Sequence, residues 1–354
     1  MISDLRLQQF RSYDDASFEF GPGVNIIVGP NGSGKTNLLE AILVVARGSS
    51  YRVGDSELLQ FGAPWFRLDA HVIPGDYQRT VKLVTEPRIA KTYELDGRVY
   101  QRLTMVHILP VVLFEPNHLQ LLHGSPDMRR GYLDDILEQT NQGYAPLRRN
   151  YRRVLAQRNA LLKRPMAPST QELFPWNLRL SELGAVIARA RQDLSDQLAA
   201  RLQEIYAQIS QAGTKVALAY HPKFPIESYE THLLEKLESH AHEDAQRGFT
   251  AYGPHREDFL MTFDDRPADE YASRGETRSA VLALKIIELQ LIEAVRDQTP
   301  LLILDDVFSE LDGARRSALT SFLQRYQTFL TTTDADVVLQ HLTDSTVLPL
   351  NTRK

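Results

Sequence analysis

One eight-residue segment has the residue types and spacing that hold a phosphate group. Residues 29–36 follow the pattern G-x-x-x-x-G-K-[ST], after an apolar run typical of a buried strand and before helical spacing. Gly32 and Gly34 let backbone N–H groups converge on an anion, and the helix N-terminus adds its positive dipole end. Lys35 supplies a cation for the β- and γ-phosphates, and Thr36 supplies a hydroxyl for Mg²⁺. This phosphate loop predicts nucleoside triphosphate binding by Gly29, Pro30, Asn31, Gly32, Ser33, Gly34, Lys35 and Thr36.

A second group of residues with functional side chains follows an apolar strand near the C-terminus. Four apolar residues, 301–304, precede Asp305 and Asp306. Asp305 can hold Mg²⁺ through water, and Asp306 can orient or deprotonate an attacking water. An apolar strand that ends in two acids is common by itself, but beside a phosphate loop it is strong evidence for a nucleotide site. The candidate catalytic residues are therefore Asp306 and Lys35, and the candidate metal ligands are Thr36 and Asp305.

Two further segments have both a functional and a structural interpretation. Arg11 lies just outside the first predicted strand. It is either a residue that contacts the nucleotide or an ordinary surface arginine. Residues 273–276, Ser-Arg-Gly-Glu, precede a predicted helix at 278–296, and a serine and a glycine at a helix N-terminus make an anion site. Taken singly, Ser273 is a good helix N-cap. The order of segments along the chain favours the anion site.

A predicted helix at 146–164 is strongly basic and contains no acid. At about 100° per residue, all its charged residues but Arg158 fall in a sector about 160° wide, opposite an apolar side that includes Tyr151. Such a face can bind nucleic-acid phosphates in a salt-dependent way. The alternative is a solvated face whose arginines pair with acids of neighbouring helices. The candidate DNA-binding residues are Arg148, Arg149, Arg152 and Arg153.

The composition limits the possible functions. The chain has no cysteine, which excludes disulfides and cysteine metal sites. A net charge of −5 gives no global attraction to nucleic acid, so DNA binding must depend on a local patch. The N-terminus carries charge where a signal peptide would be apolar, and no apolar run approaches the roughly 18 residues of a membrane helix. We therefore expect a cytoplasmic protein with no membrane partner.

The element pattern predicts an α/β fold that is split in sequence. Strand patterns dominate the first 120 of the 354 residues, with an antiparallel series between 66 and 100. From 125 to 247 the pattern is almost entirely helical, with helices predicted at 129–140, 146–164, 178–210 and 229–247, a break at 165–168 and one short strand at 215–220. Strands return at 301–304 and 329–332. We predict a nucleotide-binding lobe formed by 1–120 and 251–354, and an inserted helical domain at 121–250.

The order of these segments resembles that of the ABC-type ATPases of the SMC kind. More closely, the chain resembles the RecF family of bacterial recombination mediators over nearly its whole length. The matching stretches are the phosphate loop with 37–41, Phe-Arg-Ser-Tyr at 10–13, 55–59, 124–134, 253–258, 272–276 and 304–312.

The resemblance implies an ABC-type ATPase head, in which a P-loop sheet and an antiparallel β subdomain are interrupted by the helical domain. It implies ATP with Mg²⁺, weak DNA-dependent ATPase activity, and an ATP-dependent homodimer with two shared nucleotide sites. In that dimer Ser273, Arg274 and Gly275 would contact ATP held by the partner subunit, and Asp312 would lie nearby. It also implies binding to single-stranded, gapped or junction DNA, work with RecR and RecO, loading of the RecA recombinase, and a role in the SOS response.

The chain departs from the wider ABC pattern at two places and from the pattern of RecF proteins at a third. Asp306 stands where glutamate is usual and is one methylene shorter, so we expect slow hydrolysis that acts as a timer. The usual switch histidine is absent, and Thr-Thr-Thr-Asp at 331–334 occupies its place. Residues 273–276 are Ser-Arg-Gly-Glu where Ser-Gln-Gly-Gln is commoner in RecF proteins. Glu276 would repel a triphosphate, and we hypothesise that Arg274 offsets that charge.

Three functions remain as alternatives, and one motif has no assigned role. The first function is an ATP-gated DNA clamp, and the second is the nucleotide-binding subunit of a transporter. The size of the helical insertion, the basic helix and the missing histidine argue against a transporter. The third is a short SMC-like structural protein, but the insertion is too short and broken for long heptad arms. The motif Gly-Pro-His-Arg at 253–256 is either a packing turn or a contact site.

Overall fold

The computed structural model describes residues 1–73, 77–166, 168–210, 212–334, 338–340 and 345–351. The strands are β1 (Ile2–Phe10), β2 (Tyr13–Glu19), β3 (Val24–Val28), β4 (Trp65–Val72), β5 (Tyr77–Val84), β6 (Ala90–Leu95), β7 (Arg98–Tyr100), β8 (Val111–Phe114), β9 (Val216–His221), β10 (Asp258–Phe263), β11 (Arg266–Pro267), β12 (Leu301–Asp305), β13 (Thr328–Thr332) and β14 (Ser345–Pro349). The α-helices are α1 (Lys35–Arg47), α2 (Pro126–Thr140), α3 (Tyr144–Leu162), α4 (Thr170–Ser210), α5 (Tyr229–Ser239), α6 (Ala241–Arg247), α7 (Ala268–Tyr271), α8 (Arg274–Arg296), α9 (Val307–Glu310) and α10 (Gly313–Leu323).

The chain forms two compact units. One contains Met1–Leu119 with Glu288–Lys354, and the other contains Gln120–Ile287. The first boundary lies within one residue of the position expected from the sequence. The second lies inside α8 instead of near residue 250, because β10 pairs with β9 and so continues the sheet of the inserted unit.

A parallel sheet in the first unit positions the candidate nucleotide residues. Its strand order is β14-β3-β13-β12-β8, and every neighbouring pair is parallel. The phosphate-loop strand β3 and the acid-bearing strand β12 flank β13. Because parallel strands end at the same edge of a sheet, the segments after β3, β12 and β13 meet there.

An antiparallel sheet of order β2-β1-β4-β5-β6-β7 completes the first unit. Helix α1 contacts strands of both sheets and is buried from Leu38 to Ala46, which explains its nearly continuous apolar sequence. Buried Arg79 of β5 donates to the C-terminal carbonyls of α1, at 2.6 Å to Val45 O and 3.2 Å to Ala46 O. The Arg79 cation lies at the negative end of the helix dipole and gives Val45 O a donor, while Ala46 O also accepts from the Leu109 N–H at 2.9 Å.

The second unit is mainly helical and contains a small sheet, β11-β10-β9. Buried polar side chains join its helices. Arg158 of α3 is fully buried and binds Asp244 at 2.7 Å and Asn177 at 2.7 Å. Glu257 accepts hydrogen bonds from the hydroxyls of Tyr220 and Tyr229, at 2.5 and 2.6 Å. These contacts satisfy charges that would otherwise oppose burial.

Most of the expected elements occur, with three differences. Helix α4 starts at Thr170, whereas the sequence pattern placed its start at residue 178. The single helix expected at 229–247 is divided at His240 into α5 and α6. Strand β14, which pairs with β3, was not anticipated. Of the break expected at 165–168, residue 167 lies outside the described residues. No helix among the described residues is long and apolar enough to cross a membrane.

Candidate functional site

The phosphate loop lies between β3 and α1. Gly32 and Gly34 have φ angles of 82° and 97°, in the left-handed region that favours glycine. A Cβ at Gly34 would lie 2.9 Å from the hydroxyl oxygen of Tyr13, which donates to Gly34 O at 3.1 Å. Two independent constraints therefore require glycine at position 34, and the loop opens α1 as the sequence predicts.

Lys35 folds back over the phosphate loop. Its Nζ donates to Gly29 O at 2.7 Å and to Pro30 O at 3.0 Å. Burial lowers the pKa of Lys35, and the charges of Asp306 and Asp305 oppose that shift. The carbonyl oxygens of Gly29 and Pro30 therefore hold the ammonium group at the loop. A bound phosphate group can replace them as the acceptor of its hydrogen bonds.

Asp305 is the centre of a hydrogen-bonded cluster at the carboxyl edge of the parallel sheet. Its Oδ1 accepts from Thr36 Oγ1 at 3.1 Å and from Thr331 Oγ1 at 2.8 Å. Its Oδ2 accepts from the Tyr51 hydroxyl at 3.2 Å. The pKa of Tyr51 is raised by burial and then by the negative charge of Asp305. The two predicted metal ligands, Thr36 and Asp305, are thus brought together.

The residue types at this edge fit a magnesium ion. A threonine hydroxyl and a carboxylate are hard oxygen donors, and Mg²⁺ in nucleotide sites completes its shell with water and phosphate oxygens. No group of three or more His, Cys, Asp or Glu side chains that could hold a metal by itself occurs in the described part of the chain. The donor set therefore fits an ion held jointly with a phosphate-bearing ligand.

Asp306 follows Asp305 in a left-handed backbone conformation and lines the same edge of the parallel sheet. Its φ of 52° is left-handed, and its N–H donates to Thr331 Oγ1 at 2.9 Å. A cavity of about 200 Å³ lies between the phosphate loop and the ends of β12 and β13. Its walls are Asn31, Gly32, Gly34, Lys35, Thr36, Asn37, Asp305, Asp306 and Thr331.

Arg11 is held beside this region by a buried acid. Its guanidinium binds both carboxylate oxygens of Glu40, at 2.7 and 3.0 Å, and also donates to Glu57 O at 2.9 Å. Glu40 is fully buried and Arg11 is one-fifth exposed. Arg11 is therefore an ordered, paired side chain, and its contact with nucleotide remains a prediction.

Ser273 caps α8 and remains exposed. Its Oγ accepts from the Glu276 N–H at 3.2 Å, while Glu276 Oε2 accepts from the Ser273 N–H at 2.8 Å. This reciprocal pair is a capping box. Glu276 thus has a structural reason for its position that does not involve Arg274, which is also exposed. Contacts of Ser273, Arg274 and Gly275 with a partner's nucleotide remain predictions.

Two other predicted positions have local structural roles. Asp312 is the N-cap of α10 and accepts from the Arg315 N–H at 3.0 Å. In the segment that replaces the switch histidine, Thr332 Oγ1 contacts Asp334 N at 3.1 Å and Asp334 O at 3.0 Å.

The four candidate DNA-binding arginines of α3 have different surroundings. Arg148 is mostly buried, with its Nε 2.8 Å from Asp134 and its Nη1 bonded to Glu138 at 2.7 Å. It therefore fits the alternative of pairing with acids of a neighbouring helix. Arg149, Arg152 and Arg153 are exposed. Tyr151 is buried, as expected from its place on the apolar side.

The motif at 253–256 forms a packing turn. Gly253 has a φ of 125°, and a Cβ there would lie 2.6 Å from the Tyr151 hydroxyl. His255 Nε2 contacts Thr250 O at 3.0 Å, which makes Nε2 the protonated nitrogen. His255 Nδ1 then accepts from the Tyr151 hydroxyl at 2.7 Å. Burial lowers the pKa of His255 to about 4, so the ring is neutral at pH 7.

Sequence reasoning missed Tyr51 and Thr331, the two further side chains that hold Asp305. Tyr51 belongs to no recognisable pattern with the phosphate loop, and Thr331 was noted only as part of the segment in the place of the switch histidine. Thr331 carries a weak signal, because it lies near the end of a predicted buried strand, where polar residues of parallel sheets converge. Tyr51 lies in an irregular segment after α1, and its contact with Asp305 depends on tertiary structure alone.

The fold and site define an ABC-type P-loop ATPase head. The family model described as an AAA domain matches residues 4–100. An SMC head bound to the C-winged helix domain of ScpA aligns with 96% of this chain and 91% of its own, with a TM-score of 0.54 and 20% identity, so that likeness concerns the fold alone.

The chain belongs to the RecF family of DNA replication and repair proteins. RecF of Moorella thermoacetica is 36% identical over 95% of this chain and 91% of that relative. RecF of Acidothermus cellulolyticus is 36% identical over 95% and 94%. The recombination mediator protein RecF of the RecFOR pathway, in its ATP complex, has a TM-score of 0.84 and 28% identity over 94% of this chain and 92% of its own.

Proposed function

We propose that this protein is an ATP-dependent DNA-binding protein of replication and repair, with weak, DNA-stimulated ATPase activity. The observation that carries the proposal is the convergence of Thr36, Asp305 and Asp306 around one cavity beside Lys35. The ATP complex solved for a RecF relative supports ATP, with Mg²⁺, as the ligand of this cavity.

Each residue of the site has a distinct task in the proposed reaction. The phosphate loop binds the triphosphate through its N–H groups and Lys35. Thr36 and Asp305 hold Mg²⁺, which neutralises charge on the phosphates when bound. Asp306 orients the attacking water from the rim of the cavity. Because aspartate is shorter than glutamate, Asp306 holds that water less well, and hydrolysis is slow.

The nucleotide also controls assembly in this proposal. ATP on the phosphate loop of one subunit is contacted by Ser273, Arg274 and Gly275 of a second copy, so that two ATP molecules join a homodimer. The exposure of Ser273 and Arg274 supports this role, since both side chains are accessible to a partner. The dimer binds single-stranded, gapped or junction DNA through Arg149, Arg152 and Arg153. With RecR and RecO it helps to load the recombinase and supports the SOS response.

Static light scattering with and without ATP, on the unaltered protein and on Lys35→Arg, tests the assembly step. We expect a dimer mass with ATP for the unaltered protein and a monomer mass for the variant. A monomer in both cases would rule out the shared site.

ATP turnover measured with and without DNA, at low and high salt, tests the coupling to DNA. We expect stimulation that weakens as salt rises, because phosphate contacts release counterions. Arg201→Gln is the matched control, since Arg201 is an exposed arginine of a different helix, α4. Loss of stimulation in Arg149→Gln but not in Arg201→Gln supports the proposal. Equal rates with and without DNA would contradict it.

A further inference from the structure

A small cavity in the second unit has an excess of positive charge. Its volume is about 190 Å³, and it is bounded by α2, α3, α4 and the packing turn at 253–256. We call it the arginine pocket. Its charged lining residues are Arg130, Arg148, Arg152, Arg191, Asp127 and Asp134.

Three of the four arginines already have acidic partners. Arg130 binds Asp127 at 2.6 Å, Arg191 binds Asp134 at 2.9 Å, and Arg148 lies 2.8 Å from Asp134. Arg148 also binds Glu138. Every carboxylate that lines the pocket is therefore already neutralised by an arginine of the pocket. An incoming anion would not meet an unpaired acid there.

Arg152 is the remaining cation of the arginine pocket. It has no hydrogen-bond or ion-pair partner among the described residues, and its side chain is exposed at the edge of the cavity. Burial of part of the side chain, followed by the charge of Arg148, lowers the pKa of Arg152. The charges of Asp134 and Glu138 oppose this shift, and an anion bound at Arg152 would oppose it further.

The remaining wall of the pocket adds no charge at neutral pH. His255 is neutral, and both of its ring nitrogens are engaged, with Thr250 and Tyr151. Arg191 also donates to Pro254 O at 2.6 Å, which fixes the turn against α4. The motif at 253–256 thus builds a rigid side of the pocket.

We propose that the arginine pocket binds a single phosphate group through Arg152. The inference rests on the proposed function for its preferred source, a backbone phosphate of DNA, because Arg149 and Arg153 continue the exposed basic face of α3 beside it. A free phosphate offers the same chemistry. The volume is large enough for one phosphate with a few waters.

Two titrations test the pocket with Arg152→Gln and the control Arg201→Gln. In the first, inorganic phosphate is titrated calorimetrically into protein whose phosphate loop is saturated with a non-hydrolysable ATP analogue. We expect Arg152→Gln to weaken phosphate binding about tenfold, the effect of losing one charge-assisted hydrogen bond. Arg201→Gln should bind phosphate as the unaltered protein does. Phosphate affinity that is undetectable, or equal in all three proteins, overturns the pocket.

In the second titration, anisotropy of a labelled single-stranded oligonucleotide is followed across a salt series. If DNA supplies the phosphate, Arg152→Gln lowers the slope of log affinity against log salt by about 0.7, the value for one lost contact. An unchanged slope with weakened phosphate binding supports the pocket and assigns it to free phosphate. Failure of the unaltered protein to bind DNA contradicts the proposed function, while the calorimetric result on the pocket still stands. Equal thermal unfolding midpoints for the three proteins show that the fold is retained.

Discussion

Individual residues of this protein often combine a structural contact with an exposed chemical group. Ser273 caps α8 through the capping box with Glu276 but stays accessible. Asp306 has a left-handed backbone fixed by Thr331, yet its carboxylate lines the nucleotide cavity. Substitutions that keep the structural contact and change the chemistry are therefore the most informative.

Replacement of Asp306 tests its proposed task. We expect Asp306→Asn to lower the ATP turnover rate about 100-fold, since a carboxylate that orients or deprotonates water contributes about 10²–10⁴. Asp306→Glu restores the longer side chain of the wider ABC pattern and should raise turnover. Steady-state phosphate release measures both rates, and equilibrium ATP binding is the control that should change little. Turnover in Asp306→Asn equal to that of the unaltered protein would exclude this residue as the water-positioning group.

Burial of neutral His255 makes stability depend on pH. The pKa is about 4 in the folded protein against 6.5 for an exposed histidine, so the unfolded chain takes up the proton first as the pH falls. The contribution is present above pH 6.5 and is lost between 6.5 and 4. Its full size is about 3 kcal/mol, from 1.36 kcal/mol per pKa unit.

Urea unfolding at pH 7 and pH 5 measures this effect, with His255→Gln as the comparison. The unaltered protein should lose more unfolding free energy between the two pH values than His255→Gln does. Because every other titratable group is present in both proteins, the difference isolates the histidine. Parallel losses in the two proteins would contradict burial of a neutral ring.

Secondary-structure elements show how far the sequence determines the site. The phosphate loop and the acids after β12 were predictable because their local sequence patterns indicate both the secondary structure around them and the chemistry of their side chains. Strand β14 was not, since its pairing with β3 joins segments more than 300 residues apart. Tyr51 reaches Asp305 from a position 254 residues away in the sequence, and the acids that neutralise Arg148 lie on the preceding helix, α2. The packing of elements against each other decides which members of a basic or acidic pattern are free, and the spacing within one element carries no information on it.

Helix α1 depends on a cap that comes from another element. Replacing Arg79 with methionine keeps apolar contact but leaves the carbonyls of Val45 and His107 without the guanidinium donor, while Ala46 O keeps its hydrogen bond from the Leu109 N–H. We expect a loss of about 2–4 kcal/mol of unfolding free energy, since buried unpaired groups each cost about 1–3 kcal/mol. Lys82→Met, on the same strand but exposed, is the matched control and should change stability by less than about 0.5 kcal/mol. Chemical denaturation measures both, and similar losses in the two variants would show that the cap adds nothing.

At the scale of the whole molecule, the proposed dimer makes each nucleotide site a joint product of two copies. A symmetric dimer has two equivalent sites, and each takes the phosphate loop from one subunit and Ser273 from the other. The two halves can therefore be damaged separately, in different polypeptides. That property distinguishes a shared site from a site contained in one chain.

Mixing two inactive variants tests the shared site. Lys35→Ala removes the loop cation, and Ser273→Asp keeps a good N-cap but places negative charge beside the expected phosphate. We expect each variant alone to be inactive. In a 1:1 mixture each mixed dimer keeps one intact site, formed by the phosphate loop of the Ser273→Asp chain and Ser273 of the Lys35→Ala chain. The mixture should therefore recover DNA-stimulated turnover, up to about half that of the unaltered protein when every dimer is mixed. Ser273→Asn, which caps the helix without charge, should retain more activity than Ser273→Asp. No recovery on mixing, although both variants stay folded and Ser273→Asp alone is inactive, would contradict a site shared between two subunits.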